Sequence, residues 1–423
     1  MNVLIIGSGG REHALAKAIK NSKQCFRLFI APGNAGTSNY GLNVALNITN
    51  YKAIENYCIL LQINLIVVGP EDPLVNGMVD YFLNTNINII GPNKYSAQLE
   101  GSKAFAKAFM AKHNIPTAAY AAFNKNNYNQ GVAYLKNHSL PIVLKADGLA
   151  AGKGVVICAT YTHALETFEA MLLNNQFGAA SETVVVEQFL DGIECSVFAL
   201  TDGENYMLLP EAKDYKRIGQ GDTGLNTGGM GAISPVPFYD DAFHQKVLAK
   251  IVNPTINGFK KDGMYYKGFV FFGLIKVGNE PFVIEYNCRL GDPETETILP
   301  RIESDFLGHL LSVFNNTITN ETINITTNTA ATIVAVSGGY PSNTTTGKAI
   351  HINHTNTPNN FIYYAGSAVN NNQLQTTGGR VLCATSLAPT LHTAVANAKA
   401  TLNKVSFEGM YFRADIGYEF LKN

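Results

Sequence analysis

Asn2-Val-Leu-Ile-Ile-Gly7-Ser-Gly9-Gly10-Arg11-Glu12-His13 sets a short apolar run, a glycine turn and the start of a helical stretch in immediate succession. A continuous apolar run of this length reads as a strand covered on both faces, the usual state of a strand in a parallel sheet. The glycines let the backbone approach an anion, and the following helix offers unpaired N–H groups at the positive end of its dipole. A phosphate suits that turn, and so does a plain strand-to-helix connection with no ligand. As a dinucleotide fingerprint the stretch fails. Glu12 stands at the third glycine of G-x-G-x-x-G, and the second apolar run ends in Ile30-Ala-Pro-Gly33 without an acid.

Outward from this turn the pattern repeats. Leu28-Phe-Ile30, Leu65-Ile-Val-Val68 and Ile87-Asn-Ile-Ile90 alternate with helical stretches, which predicts βαβ units and a doubly wound parallel sheet over residues 1–102. Ala31-Pro-Gly-Asn-Ala-Gly36 and Gly69-Pro-Glu-Asp-Pro73 close the next two crossovers. Together with the first turn they fall at the carboxyl ends of the strands, where open parallel sheets bind ligands. Glu71 and Asp72 suit ribose hydroxyls or an amine, or equally a solvated turn.

From about Pro116 the texture changes to α+β. Pro141-Ile-Val-Leu-Lys145 and Gly154-Val-Val-Ile-Cys158 flank a glycine-rich turn, and Thr183-Val-Val-Val-Glu-Gln188 follows a helix, which predicts an antiparallel sheet. Lys145 to Gly154 is not a Walker A loop, because it is too short, ends Gly-Lys-Gly and leads into another strand. It reads as a flexible hairpin with lysines at base and tip, able to fold over a triphosphate or to stand uninvolved. Glu187-Gln-Phe-Leu190 with Glu194 suits a purine edge and ribose hydroxyls, or a strand ending in a solvated Glu. Glu211 to Pro237 is long, irregular and rich in Gly, Asp and Thr, with Lys213 to Arg217 at one end, and reads as a functional loop.

In Val283-Ile-Glu-Tyr-Asn-Cys-Arg-Leu-Gly-Asp292, alternation places Glu285 and Asn287 on one strand face and Ile284 and Tyr286 on the other. A carboxylate and an amide oxygen suit Mg²⁺, which takes few protein ligands beside phosphate and water. Arg289 then suits a carboxylate or phosphate. The alternative is a polar strand end capped by a turn. Asn315 to Thr329 has the composition of a surface connection, with strands expected beyond it at Ala331 to Val336 and Gly379 to Cys383.

The 423 residues, 46% hydrophobic and 15% charged, fit a multidomain globular enzyme of roughly two to four units. A net charge of -1 favours neither nucleic acid nor membrane as partner. The first residues read as a strand rather than a secretion signal, and six scattered cysteines without CxxC spacing argue against disulfide and zinc frameworks. The expected location is the reducing cytoplasm.

These motifs are similar to those of the phosphoribosylamine-glycine ligases, also called glycinamide ribonucleotide synthetases, within the ATP-grasp superfamily. The resemblance runs through GSGGREHAL at Gly7, APGNAGT at Ala31, VGPEDPLV at Val68, LEGSKAF at Leu99, KADGLAAGKGV at Lys145, DTGLNTGGMGA at Asp222, IEYNCRLGDPE at Ile284, GGRVL at Gly378 and RADIG at Arg413. It implies an N-terminal Rossmann-like substrate domain (1–102), an ATP-grasp domain (103–318, small lobe about 117–190) and a C-terminal α+β domain (325–423). It implies ligation of glycine to 5-phosphoribosylamine with ATP and Mg²⁺ or Mn²⁺, in purine synthesis.

Carried over by residue, the resemblance makes Lys103, Lys145, Gly152, Lys153, Gly154, Glu187, Gln188, Phe189, Leu190 and Glu194 the ATP site. Glu285 and Asn287 become the metal ligands, and Arg289 and Lys153 the catalytic pair. Gly9, Gly10, Arg11, Asn34, Gly69, Glu71 and Asp72 line the substrate pocket with Asp214, Lys216, Arg217, Asp222, Thr223, Gly228, Gly229, Met230, Arg289 and Asp292. Hairpin closure over ATP would exclude water. Two departures stand in the central loop: Leu225 where related sequences often carry proline, and Tyr215 where they often carry histidine. A monomer is expected, in transient contact with neighbouring purine-pathway enzymes. Other readings are a different ATP-grasp carboxylate–amine ligase, a nicotinamide oxidoreductase and a non-catalytic nucleotide-binding module.

Overall fold

Five parallel strands, β1 (Asn2–Gly7), β2 (Arg27–Pro32), β3 (Leu42–Asn43), β4 (Ile63–Val68) and β5 (Asn88–Pro92), lie in the order β5-β4-β1-β2-β3. The computed structural model describes residues 1–150 and 154–421. Val3 to Ile6 and Leu65 to Val67 are fully buried because helices cover both faces of this sheet. Ile6 pairs with Ala31 on one side and Val68 on the other. The turns after β1, β2 and β4 therefore emerge side by side, and helix α1 (Gly10–Lys20) starts from the first of them.

A four-stranded antiparallel sheet follows, β6 (Tyr120–Asn124), β7 (Ile142–Ala146), β8 (Val155–Cys158) and β9 (Thr183–Gln188), in the order β6-β9-β7-β8. It has its own core, with Leu144, Phe168 and Val184 among the buried residues. The chain then returns to the first sheet through β10 (Ile193–Thr201) and β11 (Tyr206–Leu208).

The stretch from Glu211 to Pro237 is more ordered than its composition suggests. It contains β12 (Lys213–Asp214), β13 (Arg217–Gly219), β14 (Thr223–Asn226) and β15 (Gly231–Ser234). β13 and β14 form a hairpin, while β12 and β15 join the C-terminal sheet, where β15 pairs with β18 (Thr329–Val336). That sheet runs β12-β15-β18, then Arg380–Ala388, then Asn360–Tyr364, with the helix Leu391–Leu402 packed on it. It thus takes strands from chain on both sides of residues 318–325. Short apolar stretches such as Ala232-Ile233 need long-range partners to become strands, and local composition does not show those partners.

β16 (Tyr266–Val277) is the splice of the molecule. It pairs along its length with β10 and with β17 (Glu280–Asn287), and its first residues, Tyr266 and Lys267, pair with Pro92 and Gly91 of β5. One nine-stranded sheet results, so β17 ends beside the turns of the parallel half.

Strict alternation fails in β17. Leu274 pairs with Val283 but Gly273 pairs with Glu285, which leaves Ile284 as an extra, bulged residue. Val283 and Tyr286, three apart, share the buried face. Glu285 and Asn287 do share a face as expected, but Ile284 does not join Tyr286, because one inserted residue shifts the phase of every side chain beyond it.

Candidate active site

Ser102 caps the helix Lys103–Lys112, its hydroxyl accepting from Phe105 N at 3.1 Å. The cap fixes the first turn, and Lys103 and Lys107 then lie one above the other on one helix face. Lys107 Nζ sits 3.0 Å from Glu187 Oε2 and 2.7 Å from Thr117 Oγ1. Lys145 Nζ reaches the same carboxylate oxygen at 2.9 Å and the carbonyl of the bulged Ile284 at 3.3 Å. Lys103 Nζ donates to Gly148 O at 3.1 Å.

Glu187 is therefore no solvated strand end. It is 3% exposed, and its second oxygen has no partner among the described residues. Two ammonium groups share one carboxylate in a recess at the base of the glycine-rich hairpin, and Lys103 beside them also feels Glu285 and Asp147. Burial pushes Lys107 down to about 8 against the opposing pull of Glu187, and burial likewise lowers Lys103. Lys107 was missed in the sequence. Its signal was the i, i+4 lysine pair in Lys103-Ala-Phe-Ala-Lys107, set among apolar residues.

Gln188 is exposed, Phe189 and Leu190 are half-buried, and all three leave the recess directly after Glu187. Glu194 Oε2 lies 3.1 Å from Lys216 Nζ, and Glu285 Oε1 lies 3.9 Å from the same nitrogen. Burial works against the Lys216 ammonium, but Glu194, Asp214 and Glu285 outweigh it and hold its pKa well above the ordinary lysine value. Gly154 lies next to Ala146 and Ala150, whereas Gly152 and Lys153 fall outside the described residues.

The other half of the site is a cluster of arginines and carboxylates drawn from distant parts of the chain. Arg289, just past β17, holds Glu100 Oε1 at 2.9 Å and faces Glu71 Oε2 at 3.4 Å. Arg11 on the first turn of α1 binds Glu12 at 2.7 Å and the carbonyl of Leu290 at 3.0 Å. Arg380, from the C-terminal sheet, binds Asp292 Oδ1 at 3.0 Å and the carbonyl of Gly228 at 2.7 Å. Asp72 is exposed beside Glu71.

Burial pushes Glu100 up to about 7 despite Arg289, and pushes Glu294 up to about 8 with help from Asp214. Glu296, 1% exposed, is raised by burial and by the neighbouring Asp292. Arg380 and the buried Glu294 and Glu296 were not singled out in the sequence, since nothing local to Gly378-Gly-Arg380 or Pro293-Glu-Thr-Glu296 marks their convergence.

Several residues expected in the substrate pocket hold the scaffold. Asn34 is buried, its amide nitrogen donating to the carbonyls of Ser8, Gly9 and Tyr364 and its oxygen accepting from Gly36 N and Thr37 N. A Cβ on Gly69 would collide with Glu12, and one on Gly10 with Glu296, so those glycines let the turns close on buried carboxylates. Gly9 N donates to Glu12 Oε2 at 2.5 Å.

Within the hairpin, Arg217 donates to Gly224 O, Thr223 bonds Gln220 O, and Asp222 binds the fully buried Arg413 at 2.6 Å. Met230 is buried in the core, and Gly229 adopts φ +117° against Pro293. Of the two departures, Leu225 is exposed, while Tyr215 is buried with its hydroxyl on Glu419 at 2.9 Å.

Glu285 and Asn287 project from the same partly exposed face of β17. With the Asn287 amide nitrogen turned to Glu100 Oε1 at 3.0 Å, its carbonyl oxygen is left as a donor atom for a cation. Among the described residues no group of three or more His, Cys, Asp or Glu gathers as a metal site. One carboxylate and one amide oxygen fit a hard cation that completes its shell with phosphate and water, and do not fit a self-sufficient structural site.

Sequence models of the phosphoribosylglycinamide synthetase N domain, ATP-grasp (A) domain and C domain match residues 1–100, 101–295 and 330–419. The phosphoribosylamine–glycine ligase of Pasteurella multocida is 42% identical over 421 residues, covering 99% of this chain and 98% of its own length. A crystal structure of phosphoribosylamine–glycine ligase from Thermotoga maritima superposes with a TM-score of 0.86 at 34% identity, covering 98% of this chain and 100% of that one. A biotin carboxylase complex from Campylobacter jejuni, 16% identical and covering 100% and 95% of the two chains, shares the fold with a TM-score of 0.73. Matched in all three of its regions and along nearly its full length, the chain belongs to the phosphoribosylglycinamide synthetase family of ATP-grasp ligases.

Proposed function

We propose that this chain joins glycine to 5-phosphoribosylamine at the expense of ATP, giving glycinamide ribonucleotide, ADP and phosphate in purine synthesis. The observation that carries the reading is the convergence on β17 of two different anion-binding surfaces. One is the lysine recess of Lys103, Lys107 and Lys145 around Glu187. The other is the arginine cluster of Arg11 and Arg289 beside the glycine turn of α1. A nucleoside triphosphate suits the first and a sugar phosphate the second, which leaves their reacting ends to meet along Glu285 to Arg289.

Amide formation from a carboxylate needs activation, because a carboxylate is a poor electrophile. The glycine carboxylate attacks the terminal phosphorus of ATP, ADP departs, and glycyl phosphate forms. The amine of phosphoribosylamine then attacks the acyl carbon, the carbon–oxygen bond to phosphate breaks, and the amine gives up a proton. The first step needs positioning and charge neutralisation more than proton transfer. Lys103 and Lys145 neutralise the phosphates, the Gln188–Leu190 segment and Glu194 take the nucleoside, and Arg289 orients the glycine carboxylate. The turn from Gly9 to Arg11, whose Gly9 N–H is held by Glu12, lines the phosphoribosylamine side of the site beside Arg289. Mg²⁺ or Mn²⁺ held by Glu285 and Asn287 would supply further charge neutralisation at the phosphates.

The test is phosphate release from Mg-ATP with glycine and fresh phosphoribosylamine, supplied singly and together. Release that requires both is expected. Release with neither, or with a different amine, would assign the chain to another ATP-grasp reaction.

A further inference from the structure

Asn287, Cys288 and Arg289 follow one another at the end of β17, and a single carboxylate holds all three. Glu100 Oε2 accepts from Cys288 N at 2.7 Å, while Oε1 accepts from Arg289 Nη2 at 2.9 Å and from the Asn287 amide nitrogen at 3.0 Å. Glu100 lies on the one-turn helix Gln98–Gly101, and its side chain is 4% exposed. Two residues further on, Ser102 caps the helix that carries Lys103 and Lys107, and its hydroxyl bonds Asp147 at 3.0 Å. Glu100 therefore stands where the lysine-bearing helix meets the strand end that carries Asn287 and Arg289.

An ionised carboxylate offers only acceptor oxygens, whereas an amide side chain has one end of each kind. Facing Glu100, the Asn287 amide turns its nitrogen inward, where the Tyr286 carbonyl also takes it at 3.1 Å. Its oxygen is then left on the partly exposed face that Asn287 shares with Glu285. The same Glu100 oxygen seats the Arg289 guanidinium, whose other contacts are Glu71 at 3.4 Å and the Leu290 carbonyl at 3.3 Å. At this burial, water does not replace a lost contact without cost. Groups that orient a metal ligand typically change metal affinity or activity by about ten- to a hundredfold when they are removed.

We propose that Glu100 is a positioning residue of this site, fixing the sense of the Asn287 amide and the seat of Arg289 together. The proposal rests on the reading of Glu285 and Asn287 as ligands to a divalent cation beside ATP. Glu100→Gln keeps the size of the side chain and removes the constraint. The glutamine oxygen can serve Cys288 N, whose position the backbone fixes, but its amide N–H groups then face Asn287 and Arg289. Asn287 meets a donor on one side and the Tyr286 acceptor on the other, and its sense is no longer set.

The experiment is titration of the full chain with Mn²⁺ in the presence of ADP, followed by water-proton relaxation, beside calorimetric titration with ADP alone. Glu100→Gln should weaken Mn²⁺ binding by about ten- to a hundredfold and leave metal-free ADP binding unchanged. In steady-state assays it should raise KM for glycine, through Arg289, more than KM for phosphoribosylamine. The Asn287→Asp background separates positioning from packing, because a carboxylate has oxygen on both arms and no sense to lose. There Glu100→Gln should strengthen Mn²⁺ binding or leave it unchanged, since it removes a like charge and supplies an N–H. Unchanged Mn²⁺ affinity in Glu100→Gln, equal weakening of metal-free ADP binding, or the same Mn²⁺ loss in both backgrounds would each overturn the proposal. A parent that turns over without glycine would instead overturn the ligase reading and leave the Mn²⁺ comparison standing.

Discussion

Glu187 Oε2 lies 2.9 Å from Lys145 Nζ with both side chains buried, and the same oxygen takes Lys107 Nζ at 3.0 Å. Removing that charge strands two ammonium groups. Glu187→Gln is expected to lower the unfolding free energy in urea by about 3–5 kcal/mol, the usual cost of breaking a buried pair. ATP at about 100 times its Kd should restore about 2.7 kcal/mol, because it binds only the folded chain. A loss below about 1 kcal/mol would match an exposed pair instead.

Arg289 contacts Glu100 and Glu71 through different nitrogens of its planar fork. Arg289→Lys keeps the charge and loses the fork, so kcat/KM for glycine should fall by about a hundredfold, near 2.7 kcal/mol of transition-state stabilisation. The melting midpoint should move by only a few degrees. Unchanged steady-state kinetics would remove Arg289 from the reaction.

Glu294 is pushed up to about 8 by burial and by Asp214, from an ordinary 4.5. Between those values the folded chain holds a proton that the unfolded chain has released. Its contribution to stability is thus full below pH 4.5 and lost as pH rises through 8. Glu294→Gln stays neutral throughout and should flatten the decline in melting midpoint across that window. Identical slopes for the two proteins would contradict a neutral Glu294.

His13 behaves in the opposite sense. Burial lowers it to about 3 from 6.5, and its Nδ1 accepts from Tyr364 N, a bond that the neutral ring makes and a proton on Nδ1 would break. The unfolded histidine takes up a proton that the folded one refuses, so its contribution is present above pH 6.5 and lost as pH falls towards 3, at up to about 1.4 kcal/mol per pH unit. His13→Gln, which does not titrate, should lose less stability between pH 6.5 and 5 in urea melts. A parent and variant that lose stability equally would place the acid sensitivity elsewhere.

The parallel half of the sheet was legible because its strands are uninterrupted apolar runs and its turns are marked by glycine. Lys145, Glu187, Glu285 and Arg289 stood out as charged residues at strand ends, whereas Lys103 entered only through the family resemblance. Glu187 shows the limit of that reading. Its place in the sequence suited either solvent or a ligand, and the approach of Lys107 from the helix Lys103–Lys112 and of Lys145 from β7 makes it a buried counter-ion.

What the sequence by itself determined is local: strand and helix periodicity, the caps and turns, and motifs dense enough to indicate an ATP-grasp ligase and its two substrates. Tertiary structure alone decided the pairing of β15 with β18, the bulge that turns the Ile284 carbonyl to Lys145, the reach of Arg380 to Asp292, and the brace of Tyr364 on His13 and Asn34. Each of these joins residues far apart in the chain through packing and hydrogen bonds. Their free energy depends on burial that exists only once the domains have closed on one another, so no periodicity or composition of a single segment records them.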